Sequence, residues 1–278
     1  MTEVLREQVL EFTNTVAEIV GTAVHNRGGG VNKNIGDAFF AVWRVRDRHR
    51  DSMSHSEEGW GKGLEADKDV GAECDAALQA FLVSNRQVLE AEAVQAYGRH
   101  PGIQARLPGY EVRLGFGLHV GWAIEGAVGN RFKIDATYLS PHVNLTSRLE
   151  SLTKSYGVTF LMSGQFTQRL SAGVRVYVRP VDRVTVKGSA MPVLLETWDQ
   201  ETASDMRPIA ESGEFLRKWN LAFCAYLEGR WGQARDHVNA CLAERPADKQ
   251  APLLLEFMGR TDFVAPSDWE GYRVLVEK

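Results

Sequence analysis

Four polar side chains have the types and the spacing that chemistry on a phosphorylated ligand requires. Lys33 and Asp37 lie four residues apart in the glycine-marked run GGGVNKNIGDAFFAVW, and Asn144 and Arg148 lie four residues apart much later in the chain. A carboxylate can bind a divalent cation, and an ammonium or guanidinium group can pair with phosphate oxygens. These residues therefore define a candidate site.

The later pair falls in a predicted helix over residues 141–156. Ser140 is a favourable N-cap, and Gly157 suits the residue just past a helix end. Side chains at i and i+4 share one face of a helix, so Asn144 and Arg148 point the same way. A second stripe of the helix is apolar and is expected to face the core: Leu145, Leu149 and Leu152. Taken alone, the polar pair is also what an ordinary exposed helix face carries.

The earlier pair falls in a predicted β-hairpin. Residues 31–35 and 38–43 resemble short strands, and Gly36-Asp37 supplies the turn between them. An acid on a tight turn can hold a cation, but Gly-Asp is also a common turn pair and Lys33 could be a solvated strand lysine.

Composition narrows the class of protein. The chain has 278 residues, 44% of them hydrophobic, and a net charge of −4, which argues against a general affinity for nucleic acid. No apolar run approaches the roughly 18 residues of a membrane span. Its three cysteines lack metal-ligand spacing, so we expect reduced thiols and a cytoplasmic location.

Hydrophobic periodicity predicts an α+β fold, because helices and strands alternate up to about residue 199. We predict a domain over residues 1–199 with a flexible insertion at about 44–70, followed by an all-helical appendage over 200–278. In the domain we predict helices at 3–25 and 74–97 and strands at 110–120, 122–128 (pairing back on the preceding strand), 158–162, 174–178, 181–187 and 193–198. In the appendage we predict helices at 215–227, 231–242 and 251–258, and no strand.

Three stretches of the chain resemble the catalytic domain of class III nucleotidyl cyclases, the adenylyl and guanylyl cyclases. They are GGGVNKNIGDAFFAVW, VRLGFGLHVGWAIEGAVG and KIDATYLSPHVNLTSRLESLTKSYGV, and the third is similar to the subgroup of protists and algae. The resemblance covers roughly residues 3–198. It implies a ferredoxin-like domain in which helices pack on a mixed sheet.

The resemblance also implies a role for each candidate residue. Asp37 matches a metal-binding aspartate, so Mg²⁺ or Mn²⁺ is the implied cofactor. Lys33 and Thr137 match the positions that read the purine, and lysine there is the adenylyl pattern. Asn144 matches the asparagine that orients the ribose, and Arg148 matches the arginine that stabilises charge on the transferring phosphate.

The implied activity is conversion of ATP to 3′,5′-cyclic AMP and pyrophosphate in intracellular signalling. Family members form their sites between two catalytic domains, so a homodimer or a second cyclase domain is the implied partner. A guanylyl cyclase is the alternative, although Lys33 disfavours it.

One part of the family pattern has no counterpart. The family's opening strand carries a first metal-binding aspartate, whereas this chain starts at Met1 and enters the first helix directly. Two interpretations stay open. One is a fragment of a longer cyclase, of a subgroup that includes membrane-bound proteins, and the other is a catalytically impaired module that dimerises or binds nucleotide.

Residues 216–258 resemble a single tetratricopeptide-type helical hairpin. One such unit cannot bury both of its faces, so we expect it to pack on the domain or to bind a protein partner. A plain helical cap is the alternative.

Overall fold

The computed structural model describes residues 2–35, 38–45, 68–186, 191–199 and 212–275. The fold is α+β with a mixed sheet and packed helices, as the sequence predicts. The chain divides into two compact units, Met1–Arg113 with Arg169–Ala172, and Leu114–Gln168 with Gly173–Lys278. None of the described helices is long and apolar enough to cross a bilayer.

The first unit is mostly helical. Its elements are α1 (Thr2–Leu5), α2 (Gln8–His25), β1 (Gly30–Ile35), β2 (Ala38–Val42), α3 (Lys68–Glu90), α4 (Glu92–Gly98) and α5 (Pro101–Arg106). The helix predicted over 3–25 is interrupted at Arg6, which has a left-handed φ of 49°. The predicted insertion lies largely outside the described residues, and its last part, from Lys68, begins α3.

The predicted hairpin is confirmed in this unit. Strands β1 and β2 pair antiparallel, and Lys33 lies opposite Phe40 in their register. The indole N–H of Trp43 donates to the Arg27 carbonyl at 2.9 Å and so fixes the return strand against the end of α2. A Cβ at position 29 would lie 2.5 Å from the Trp43 ring, which explains why glycine suits that position. The turn residues Gly36 and Asp37 lie outside the described residues.

The second unit is built on a five-stranded sheet. The strands of the unit, inside and outside this sheet, are β3 (Phe116–Leu118), β4 (Ile124–Asn130), β5 (Lys133–Leu139), β6 (Phe160–Ser163), β7 (Val178–Thr185), β8 (Val193–Trp198) and β9 (Arg273–Val274). Its helices are α6 (Pro141–Tyr156), α7 (Gly164–Thr167), α8 (Ala172–Arg175), α9 (Ser212–Leu227), α10 (Trp231–Glu244) and α11 (Gln250–Gly259). The sheet order is β3-β6-β8-β7-β9, while β4 and β5 form a separate antiparallel hairpin.

Three strand predictions are wrong in this unit. Of residues 110–120, only Phe116–Leu118 form a strand, because only these pair with β6. The segment after Gly121 does not pair back on them. It pairs with β5 through a local turn, in which the Asn130 side chain accepts hydrogen bonds from the backbone N–H groups of Phe132 and Lys133. Most of the strand predicted at 174–178 is helix α8 and the turn after it.

The predicted C-terminal helices are confirmed, and they pack within the same unit as the sheet. Their core is aromatic and includes the fully buried Phe215, Trp219 and Tyr226. After these helices the chain adds a further strand to the sheet, β9, which runs parallel to β7. The sequence analysis predicted no strand in this region and so missed β9. The proposed domain boundary at residue 199 stays a prediction.

Buried ionic groups tie these helices to the sheet. Arg179 on β7 is 4% exposed; its Nη2 donates to Asp248 at 2.6 Å and its Nε lies 3.3 Å from Asp199. Arg245 also donates to Asp199, at 2.9 Å. A buried charge is tolerated when it is paired, so these contacts hold the helices and the sheet as one folded unit.

A second buried network centres on Asp182 of β7, which is fully buried. Its carboxylate accepts from the Tyr156 hydroxyl at 2.6 Å, the Tyr226 hydroxyl at 3.1 Å and the Arg273 Nε at 2.6 Å. Burial, together with the neighbouring Asp182 charge, raises the pKa of both tyrosines, so they remain donors. The network joins α6, β7, α9 and β9.

The three cysteines differ in accessibility, which gives a direct test of the packing. Cys74 and Cys241 are buried, and burial raises the pKa of each thiol to about 11, whereas Cys224 is exposed. Because the thiolate is the reactive form, we expect iodoacetamide at neutral pH to modify Cys224 well before the other two. Peptide mass spectrometry of the folded protein measures this order. Equal labelling of all three would contradict the described cores.

Candidate functional site

A cavity of about 460 Å³ opens beside the first turns of α6. Its polar lining comes from α6, from the segment around α7 and from β7. These residues are His142, Asn144, Arg148, Gln165, Gln168 and Arg183. The remaining lining is largely apolar: Pro141, Leu145, Gly164, Val186, Met191, Pro192, Val193 and Leu194. The cavity lies wholly within the second unit.

Local signals place Asn144 and Arg148 at this cavity. The Ser140 hydroxyl caps α6 by accepting from the His142 N–H at 3.0 Å, and Gly157 ends the helix with a φ of 62°. Leu149 is fully buried against the sheet, so the helix cannot rotate without exposing it. Asn144 and Arg148, which their i,i+4 spacing predicts to share one face, both line the cavity.

The charge of the lining suits an anion. Two guanidinium groups, Arg148 and Arg183, face the cavity together with three side-chain amides, and none of the described lining residues is Asp or Glu. The N-terminus of α6 lies at the same place, and the helix dipole gives that end partial positive charge. Phosphate oxygens fit this set of donors.

The same lining does not fit a divalent cation, because Mg²⁺ and Mn²⁺ prefer carboxylate oxygens. In the described part of the chain, no group of three or more His, Cys, Asp or Glu residues could hold a metal ion. The predicted metal ligand, Asp37, lies outside the described residues.

Thr137, one of the two predicted base-reading residues, does not line this cavity. Thr137 lies on β5, opposite Gly126, and is only 8% exposed. It is not among the residues that line the cavity. Lys33 lies on β1 in the first unit. Of the five predicted site residues, the cavity therefore unites Asn144 and Arg148.

Sequence reasoning missed four polar residues of the lining: His142, Gln165, Gln168 and Arg183. Arg183 follows the buried Asp182 on β7, but only the folded sheet shows that it lines the same cavity as the residues of α6. His142 is two residues before Asn144 and carries no spacing signal of its own.

Sequence comparison finds adenylate cyclases. This chain is 27% identical over 183 residues to an adenylate cyclase of Anabaena cylindrica, covering 65% of this chain and 30% of that protein. It is 27% identical over 257 residues to the terminal-differentiation-specific adenylate cyclase of Dictyostelium discoideum, covering 91% of this chain and 10% of that protein. The chain thus spans less than a third of the length of either relative. No family model matches.

Structure comparison finds the same family fold. A bacterial light-regulated adenylyl cyclase superposes with a TM-score of 0.50 at 19% identity, covering 77% of this chain and 51% of that one. At this identity the likeness shows the fold alone, and that fold is the class III cyclase catalytic domain.

Proposed function

We propose that this chain, whose sequence relatives are adenylate cyclases and whose fold is that of class III cyclase catalytic domains, forms part of a nucleotide cyclase that converts ATP to 3′,5′-cyclic AMP. In the reaction the ribose 3′-oxygen bonds to the α-phosphorus, the bond from that phosphorus to the bridging oxygen breaks, and pyrophosphate leaves. The hydroxyl proton is released.

The observation that carries this proposal is the pairing of Asn144 and Arg148 at a cavity whose described lining contains no Asp or Glu. Negative charge builds on the phosphate oxygens as the α-phosphorus is attacked, and a guanidinium held beside them lowers the barrier. An amide one turn earlier on the same helix can hold a ribose oxygen by hydrogen bonding. Because α6 is fixed by its buried face, both groups are oriented before the ligand arrives.

The adenine preference and the metal follow from the resemblance. Lys33 and Thr137 would read the purine, with Lys33 favouring adenine over guanine. Asp37 would contribute to a Mg²⁺ or Mn²⁺ site, which supplies charge neutralisation at the triphosphate. A homodimer is the assembly that the resemblance implies, with Asp37 of one copy facing Lys33, Thr137, Asn144 and Arg148 of the other.

The β4–β5 hairpin is the proposed contact surface for that second copy. It is strongly apolar for an exposed element: Phe132 is 81% exposed, Ile134 72% and Ile124 64%. Ile124 is directly paired with Leu139, which is also exposed. Contiguous exposed apolar residues of this kind indicate a protein interface.

Replacing Phe132 and Ile134 together with serine is expected to weaken self-association by roughly tenfold or more, because two large side chains would no longer be buried between copies. Sedimentation equilibrium measures the dissociation constant. Val264→Ser is the matched control, since Val264 is 68% exposed but lies far along the chain from the hairpin. An unchanged dissociation constant in the double variant would place the interface elsewhere.

The function is tested by incubating the protein with ATP or GTP and Mn²⁺ or Mg²⁺ and measuring cyclic nucleotide and pyrophosphate. The chain is assayed alone and also together with any in-frame sequence found upstream of Met1. Cyclic AMP formed in excess over cyclic GMP supports the proposal. ATP binding without product from either form would instead identify a nucleotide-binding module that lacks catalysis.

A further inference from the structure

The His142 ring is held in place from several sides. It stacks on the His119 ring with centroids 5.0 Å apart, and the edge of Trp122 meets it at 5.9 Å. A Cβ at position 121 would lie 2.2 Å from the ring, so only glycine leaves room for it there. A surface histidine needs no such support. His142 is also part of the cavity lining.

Close polar contacts link this ring, through His119, to a buried hydroxyl. The fully buried Ser163 hydroxyl accepts from the Phe166 N–H at 3.2 Å and lies 2.7 Å from Nδ1 of His119. Nε2 of His119 in turn lies 2.7 Å from Nδ1 of His142. If Ser163 donates to His119, then His119 donates to His142, and the neutral His142 ring carries its hydrogen on Nε2.

In that direction, Nε2–H of His142 is the donor left for a ligand, and His142 lines the cavity together with Arg148 and Arg183. We infer that His142 is a ligand-contacting residue that donates this hydrogen to a phosphate oxygen of the bound nucleotide. His119 and Ser163 are positioning residues, because they act through the orientation and tautomer of His142. The inference rests on the proposed function only in the identity of the ligand, a nucleotide polyphosphate.

Pyrophosphate is the probe that isolates this contact, and EDTA is added so that no divalent cation takes part. Isothermal titration measures its affinity for the unmodified protein and for three variants. His142→Phe removes the donor and should weaken binding about tenfold, as expected for loss of a hydrogen bond to a charged group. His142→Gln keeps an N–H near the position of Nε2 and should recover most of that loss. His237→Gln, on α10 and outside the cavity lining, should bind as the unmodified protein does.

The positioning role is tested by the tautomer of His142. Nitrogen NMR of the unmodified protein should show the hydrogen of His142 on Nε2, and His119→Leu should mix the two tautomers and weaken pyrophosphate binding severalfold. This signal would not change if His119 served packing alone. It also decides the matter if His142→Phe fails to fold.

The inference is overturned if the unmodified protein does not bind pyrophosphate at millimolar concentration, if His142→Phe binds it as tightly, or if the hydrogen of His142 resides on Nδ1. Its failure is distinguishable from that of the proposed function. If the protein forms cyclic AMP but substitution of His142 does not change pyrophosphate binding, only the inference about His142 is wrong. If pyrophosphate binding depends on His142 but the protein forms no cyclic nucleotide, only the catalytic proposal is wrong.

Discussion

Arg148→Ala is expected to lower the rate of cyclic AMP formation by roughly 10²–10³-fold with a much smaller change in KM for ATP. The reason is that a guanidinium aimed at a transferring phosphate acts mainly where charge develops, which is the transition state. Steady-state kinetics with ATP over a range of concentrations separates kcat from KM. The assay uses whichever form of the protein proves active.

Two further substitutions sharpen this test. Arg148→Lys keeps the positive charge but loses the planar fork of donors, so it should recover only part of the rate. Arg217→Ala removes an exposed arginine on α9 and should leave the rate unchanged. A rate loss that appears only as a higher KM would show that Arg148 binds the ground state instead, and equal activity of Arg148→Ala would exclude it from the reaction.

Asp182→Ala is expected to cost about 3–5 kcal/mol of the free energy of unfolding, which is a large part of the stability of an ordinary domain. The substitution leaves the Arg273 guanidinium and the two tyrosine hydroxyls with no carboxylate to receive their hydrogen bonds. Urea denaturation followed by tryptophan fluorescence measures the loss, because Trp219 and Trp231 are buried in the same unit.

Two control variants distinguish the effect of losing a buried carboxylate from the effect of losing any carboxylate. Asp236→Ala breaks an ion pair with Arg235 whose side chains are 44% and 68% exposed, so it should change stability by less than about 1 kcal/mol. Replacing Asp182 with leucine and Arg273 with methionine together should recover part of the loss, since no unpaired charge then remains buried. If Asp182→Ala were as mild as Asp236→Ala, the network would not hold the unit together.

The sequence predicted those features of the fold that depend on residues close together in the chain. Ser140 and Gly157 gave both ends of α6, and the i,i+4 spacing of Asn144 and Arg148 gave their shared direction, because caps and helix faces are set within a few residues. The hairpin β1–β2 and the three C-terminal helices were predictable for the same reason.

Contacts between distant residues were not predictable from one sequence. The alternation in residues 110–120 was real, but a strand also needs a partner, and only Phe116–Leu118 have one in β6. The pairing of Val184 with Arg273 joins segments that are far apart in the chain, so no local sequence pattern predicts β9. The contributions of His142 and Arg183 to the cavity depend on the same long-range assembly, which is why they were missed.

The Asp182 network has a consequence for how this sequence can change over time. Tyr156, Asp182, Tyr226 and Arg273 belong to four different elements, yet each hydroxyl or guanidinium is satisfied by the same carboxylate. A replacement at one position leaves a buried polar group without its partner at another, so the effects of substitutions within this set on stability are expected to be non-additive. A helical segment from another protein could replace these C-terminal helices only if it also supplied hydrogen-bond donors for Asp182.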